Sequence, residues 1–147
     1  MSRRGADLAL LLLAGFRLMA DEATERFAAR GHPGVRPAHD FALRAVAAGA
    51  TSTSEVGRRT SVSKQAAAKT IAFLEESGYV RRAPGPGGRR AVLSVTSRGE
   101  ALMREGEAVF DELRAHWESL VGRDRVAELQ DALEQLLASD QNSSDQN

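Results

Sequence analysis

Four residues in one short stretch, Lys64, Gln65, Ala68 and Lys69, carry surface chemistry that a helix would gather on one side. A glutamine amide can bond an adenine edge through two hydrogen bonds, and an alanine methyl can meet a thymine methyl. Lysines suit phosphate or guanine. Ser63 stands just ahead of them, where its hydroxyl would make a good helix N-cap. Arg89 and Arg90 lie at the tip of the glycine-rich run Pro84-Gly85-Pro86-Gly87-Gly88, placed to enter a minor groove or pair with its phosphates. Arg58 and Arg82 add charge close by, and some such arginines touch phosphate while others make surface pairs of little consequence. This is chemistry for holding a polyanion rather than for making bonds. The bland alternative is a solvated helix face and a solvated hairpin tip, and the surrounding elements weigh against it.

Competing chemistry is scarce. The chain has no cysteine, which excludes disulfides, thiol catalysis and cysteine-bound zinc. His32, His39 and His116 are far apart and lack metal-ligand spacing, so no metal and no cofactor is expected. There is no Gly-x-Ser-x-Gly elbow, phosphate loop or dinucleotide fingerprint, since the glycines of 85–88 do not open a helix. Glu75 and Glu76 are neighbours on one helix and cannot face each other across a cleft. An enzyme is not expected.

The elements that must position these residues are mostly helical. Aromatics make up only 5% of the 147 residues, and alanine and leucine are abundant. Apolar residues recur at helical spacing from Ala6 to Arg30, and Gly31-His32-Pro33-Gly34 stops that helix. A second helix follows Pro37 and runs to about Gly49. Ser52-Thr53-Ser54-Glu55 reads as a capping box opening a short third helix that ends near Thr60. The fourth runs from about Ser63 to just before Gly78, with Ala67, Ile71 and Leu74 on the face opposite Gln65, Ala68 and Lys69. Two short strands, Tyr79-Val80-Arg81-Arg82 and Ala91-Val92-Leu93-Ser94-Val95, flank the basic tip. Ser97-Arg98-Gly99-Glu100 looks like a second capping box, opening a long helix to Gly122, and a last helix follows. The polar run from Ser139 to Asn147 is expected to be disordered.

Charge separates along the chain although the net is zero. From Glu55 to Arg98 nine basic residues oppose three acidic ones, a balance of +6. From Gly99 onward four arginines meet twelve acids, a balance of −8, and residues 1–54 carry +2. A basic middle with an acidic end is the footprint of a polyanion held on one face. The apolar run Leu8–Ala14 is too short to cross a bilayer and lacks a signal-peptide cleavage pattern, so no membrane association is expected and a cytoplasmic location fits. Apolar stripes on the first and the last two helices need burial that a small winged unit cannot supply, which points to a symmetric partner.

Three pieces in this order and spacing resemble the MarR family of bacterial transcription regulators: Glu55 to Ser63, Leu74 to Arg82, and Thr96-Ser97-Arg98-Gly99 after a basic wing. The resemblance implies a mainly α fold with a small two-stranded β-wing, a winged helix-turn-helix core and dimerisation helices at both ends. In those terms residues 1–138 form one domain, with 35–98 as the DNA-binding region, 4–30 and 98–138 as dimerisation helices, and 139–147 as a disordered tail. It implies a homodimer on pseudo-palindromic double-stranded DNA; a repressor is the expected role, though repression and activation both stay open, and the residues expected on the DNA are Ser63, Lys64, Gln65, Ala68, Lys69, Arg58, Arg82, Arg89 and Arg90. It also implies a small-molecule effector, and Phe16, Arg36, His39, His116 and Trp117 are the candidates to hold an aromatic or amphipathic anion. The alternative is a winged-helix module serving a protein partner or binding nucleic acid without sequence preference. The chain departs from the family at Gly87, where the wing usually carries an acid two positions before its arginine, and a less ordered wing tip is expected.

Overall fold

The computed structural model describes residues 3–88 and 91–144. It orders six helices and a two-stranded sheet as α1 (Arg4–Ala29), α2 (Pro37–Ala47), α3 (Thr53–Arg59), α4 (Lys64–Glu76), β1 (Val80–Ala83), β2 (Val92–Val95), α5 (Ser97–Val121) and α6 (Arg123–Ser144), with a single 3-10 turn at Pro86–Gly88. The fold is mainly α with a two-stranded antiparallel wing. The chain divides into two compact units, Met1–Val109 and Phe110–Asn147.

The first unit closes around α2 and α4. Phe27, Leu43, Val56, Ile71, Leu74, Tyr79 and Leu102 are fully or almost fully withdrawn from water there. Each caps or turns for a local reason. Pro37 opens α2, where its missing N–H costs no intrahelical bond. Ser52 opens α3 by accepting from the Glu55 N–H, and the Glu55 carboxylate accepts from the Thr51 N–H at 3.2 Å. Ser63 opens α4 by accepting from Ala66 N–H at 3.1 Å. Between α3 and α4 the chain reverses through Ser61, at φ 58, and the Val62 N–H donates to the Gly57 carbonyl. A Cβ on Gly57 would lie 3.1 Å from the Val62 carbonyl oxygen, a close approach that a glycine eases.

β1 and β2 pair with Val80 opposite Val95 and Ala83 opposite Val92. Gly87 and Gly88 both hold positive φ in the 3-10 turn between them, at 67 and 77. An L side chain at position 87 would be strained in this conformation. The helix after the wing starts one residue away from the expected box. Thr96, not Ser97, is the cap, its hydroxyl oxygen accepting from Gly99 N–H at 3.1 Å while donating to the carbonyls of Gly78 and Tyr79.

In the second unit Leu113 and Val126 are buried, while Leu120, Leu129, Leu133, Leu136 and Leu137 stay exposed. Arg114 joins its two helical segments, donating to Glu118 and to Gln130. The disorder expected from Ser139 onward is corrected for the described part, because α6 continues through Ser144. Extending a formed helix adds a backbone bond per residue without a new nucleation cost. The hydroxyls of Ser139, Ser143 and Ser144 donate to carbonyls four residues back, and so do not compete for the helix N–H groups.

Candidate nucleic-acid interface

α4 presents two faces that follow from its sequence. Ala67, Ile71 and Leu74 are fully buried, and Lys64, Gln65, Ala66, Ala68 and Lys69 are exposed on the outer side. The buried stripe locks the helix to α2 and α3, so the outer side chains project from a rigid support rather than from a loop. Ser63 spends its side chain on the helix cap. Two ammonium groups, an amide and methyls therefore share one surface at the start of a helix whose free N–H groups favour anions.

The arginines divide by what they already touch. Arg58 is exposed on α3. Arg59 is turned back to donate to the Ala48 carbonyl at 3.0 Å. Arg82 pairs with Glu75 at 2.7 Å, bracing β1 against the last turn of α4. Arg81 donates to the Ser94 hydroxyl across the wing. Arg89 and Arg90 lie outside the described residues.

The candidate effector residues are distributed over both units. Phe16 is exposed on α1 and Arg36 on the approach to α2. His39 has another task. Its ring stacks on Phe73 with centroids 4.0 Å apart, and its Nδ1 accepts from Arg36 N–H at 2.8 Å, capping α2. Burial, with a smaller push from the Arg36 charge, lowers its pKa to about 4, so it brings no positive charge to an anion at neutral pH. His116 is exposed and Trp117 half-buried in the second unit. A groove of about 590 Å³ does exist in the first unit, walled by Val46, Leu93, Val95, Met103, Arg104 and Glu107. None of the expected effector residues lines it.

Sequence reading did not single out Asp40. Its carboxyl is fully buried, accepts from Arg44 Nε at 2.7 Å through one oxygen and has no hydrogen-bond partner on the other. Gly106 of α5 makes room for it, since a Cβ there would fall 2.5 Å from Asp40 Oδ1. Burial pushes the carboxyl pKa up against the opposing pull of Arg44. The folded state thus holds this proton more tightly than the unfolded chain, and the contribution of Asp40 to stability declines as pH rises through that window. Asp40 and Arg44 form a structural joint between α2 and α5, with Arg44 also reaching the Met103 carbonyl and Glu107. Among the described residues no cluster could hold a metal ion, and no helix is long and apolar enough to cross a membrane.

Comparison with known proteins bears on this arrangement. Residues 34–91 match the model of the MarR family. Curated protein sequences gave no match. Among solved structures, a MarR family protein of Mycobacterium tuberculosis in complex with salicylic acid is 26% identical, covering 88% of this chain and 95% of its own, with a TM-score of 0.68. The transcriptional regulator BldR of Sulfolobus solfataricus is 20% identical over 95% of this chain and 99% of its own, with a TM-score of 0.75. MepR of S. aureus, solved in complex with DNA, is 14% identical over 89% of this chain and 94% of its own, with a TM-score of 0.69. The last two likenesses speak for the fold alone. Buried stripe, capped helices, glycine-tipped wing and matched segment agree: residues 34–91 match the MarR family's model, in a chain that shares the overall fold of solved MarR-family transcription regulators.

Proposed function

We propose that the protein is a sequence-specific DNA-binding repressor that works as a homodimer on pseudo-palindromic promoter DNA. The observation that carries this reading is the outer face of α4, where Lys64, Gln65, Ala68 and Lys69 stand exposed over a fully buried Ala67-Ile71-Leu74 stripe. α4 enters a major groove; Gln65 and Ala68 read base edges, and the lysines hold phosphate. Arg58 and the wing arginines Arg89 and Arg90 supply backbone or minor-groove contacts. The DNA complex of MepR supports the docking mode, because its fold is shared. Exposed leucines on α1 and α6 support self-association.

A small aromatic anion releases the DNA in this reading, supported by the salicylic acid complex of the M. tuberculosis relative. Release requires the anion to prefer a dimer geometry that no longer fits the operator. Arg36 is the candidate anchor, and His39 is withdrawn from that role by its charge state.

Binding-site selection from random duplexes with the full-length protein tests the reading. Enrichment of two half-sites about one helical turn apart is expected. Retention of duplexes without sequence preference would instead favour a general nucleic-acid module, and no retention a protein-binding one. Titration of salicylate into the selected complex, followed by Trp117 fluorescence and DNA release, tests the effector.

A further inference from the structure

Three joints of the first unit meet at one phenol. Tyr79, between α4 and β1, is almost fully buried, and its hydroxyl lies 2.8 Å from Nδ1 of His32, in the loop that joins α1 to α2. Arg98, in the first turn of α5, donates from Nη2 to the same hydroxyl at 3.2 Å and from Nε to the Ser77 carbonyl at 3.0 Å. Its guanidinium also lies over the Tyr79 ring, 4.7 Å from the centroid. Gly99 brings α5 so close that a Cβ would lie 2.2 Å from the Tyr79 carbonyl oxygen.

The direction of these bonds follows from elimination. A guanidinium only donates, so the Tyr79 hydroxyl accepts from Arg98 and has its own proton left to give. Of the two groups bonded to that hydroxyl only His32 Nδ1 can accept the proton, and it does so when unprotonated, with the ring hydrogen on Nε2. A second proton on His32 would set an N–H against that O–H and leave the hydroxyl proton without an acceptor. It would also place a cation near Arg98.

The charged and titratable groups facing His32 come from every element around it. Arg98 and Glu105 lie on α5, Tyr79 follows α4, and Arg30 at the end of α1 is paired with Glu105 at 3.1 Å. Burial lowers the His32 pKa first, Arg98 lowers it further, and Glu105 opposes them. The unfolded chain therefore takes up the proton near pH 6.5 while the folded chain resists it. Stability is complete above that value and falls as pH drops below it.

We infer that His32 is a positioning residue for DNA binding: its neutral ring accepts the Tyr79 hydroxyl proton and so seats the α4–β1 junction, between recognition helix and wing, against the α1–α2 loop and the start of α5. The inference rests on the DNA-binding reading above and adds to it a dependence on acid. Added histidine charge by itself strengthens binding to a polyanion. Loss of the joint acts in the opposite direction, which makes the sign of the pH effect decisive.

The test uses full-length protein and a duplex recovered by the selection described above, with affinity read by fluorescence anisotropy from pH 7.5 to 5.5. Wild-type affinity is expected to fall toward the acid end of that range, the loss setting in below the ordinary histidine value because burial holds His32 neutral longer. His32→Asn puts an amide oxygen where Nδ1 lies and cannot gain a proton; it is expected to bind at pH 7.5 and to lose the acid dependence. His116→Asn is expected to keep it. Nitrogen-15 spectra of the histidine rings at pH 7.5 are expected to show His32 as the Nε2–H tautomer. A wild-type affinity that holds or rises in acid, an equal fall in His32→Asn, or an Nδ1–H tautomer each overturns the inference. Failure to bind any duplex at pH 7.5 overturns the DNA reading with it, whereas normal binding without acid loss overturns the role of His32 alone.

Discussion

Single side chains carry unequal weight because some touch only water and others touch backbone. Gln65 is exposed, so its removal leaves the fold alone. Gln65→Ala is expected to relax preference at one or two base pairs per half-site, costing about 1–3 kcal/mol on the cognate duplex and little on random DNA. Competition binding with single-substituted duplexes checks this, and an equal loss on both kinds of DNA would make Gln65 a backbone contact. Gly99 is the opposite case. A methyl there would lie 2.2 Å from the Tyr79 carbonyl oxygen and 2.7 Å from Val95 Cγ1. Backbone cannot rotate away as a long side chain can, so Gly99→Ala is expected to cost about 1–3 kcal/mol or more. Urea denaturation measures it, through a lower midpoint at unchanged slope.

Among the elements, the α3–α4 turn concentrates the conformational cost. Ser61 holds φ 58 without being a glycine. A left-handed residue with a Cβ costs about 1–2 kcal/mol, whereas glycine adds unfolded-state freedom worth up to about 1 kcal/mol. Ser61→Gly is therefore expected to stabilise slightly, by up to about 1 kcal/mol, and Ser61→Val to destabilise by about 1–2 kcal/mol, since β-branching suits that conformation worst. Thermal unfolding of the pair checks both signs. The reason for keeping such a turn is geometric. It lets Ser63 cap α4 while the Gly57 carbonyl receives the Val62 N–H, so α4 begins at a defined residue.

At the largest scale, α1 in the first unit and α6 in the second each leave large apolar side chains in water. Leu11 is 70% exposed on α1, and Leu136 and Leu137 are 67% and 65% exposed on α6. Isolated soluble chains rarely leave contiguous apolar patches in water. Light scattering at micromolar concentration is expected to give about twice the chain mass of 15.8 kDa. Leu11→Asp replaces a mostly exposed side chain, and it is expected to shift the mass toward 15.8 kDa with little change in helical content. A wild-type monomer would remove the basis for two half-sites.

Much of this was legible in the residues themselves. Helix starts at Pro37, Ser52 and Ser63 follow from capping chemistry, which acts over three or four residues. The two faces of α4 follow from a period of 3.6, and the wing from two short β-prone runs around glycines. The misplaced cap at Thr96 and the over-short α6 are errors of the same local kind, where two neighbouring hydroxyl residues competed or a polar helix prolonged an existing one. What local pattern could not decide are contacts between residues far apart in the chain. Nothing in the sequence around His32 announces a bond to a residue 47 positions away, and nothing around Asp40 announces that Gly106 will cover it. His39, named only as a candidate to hold an anion, is a neutral helix cap stacked on Phe73. Burial sets the charge of such groups, and burial exists only once helices distant in sequence have packed. Local pattern is enough to place the helices, the wing and the exposed face of α4; which polar side chains lock those elements together depends on packing, because their partners are brought near only by the fold.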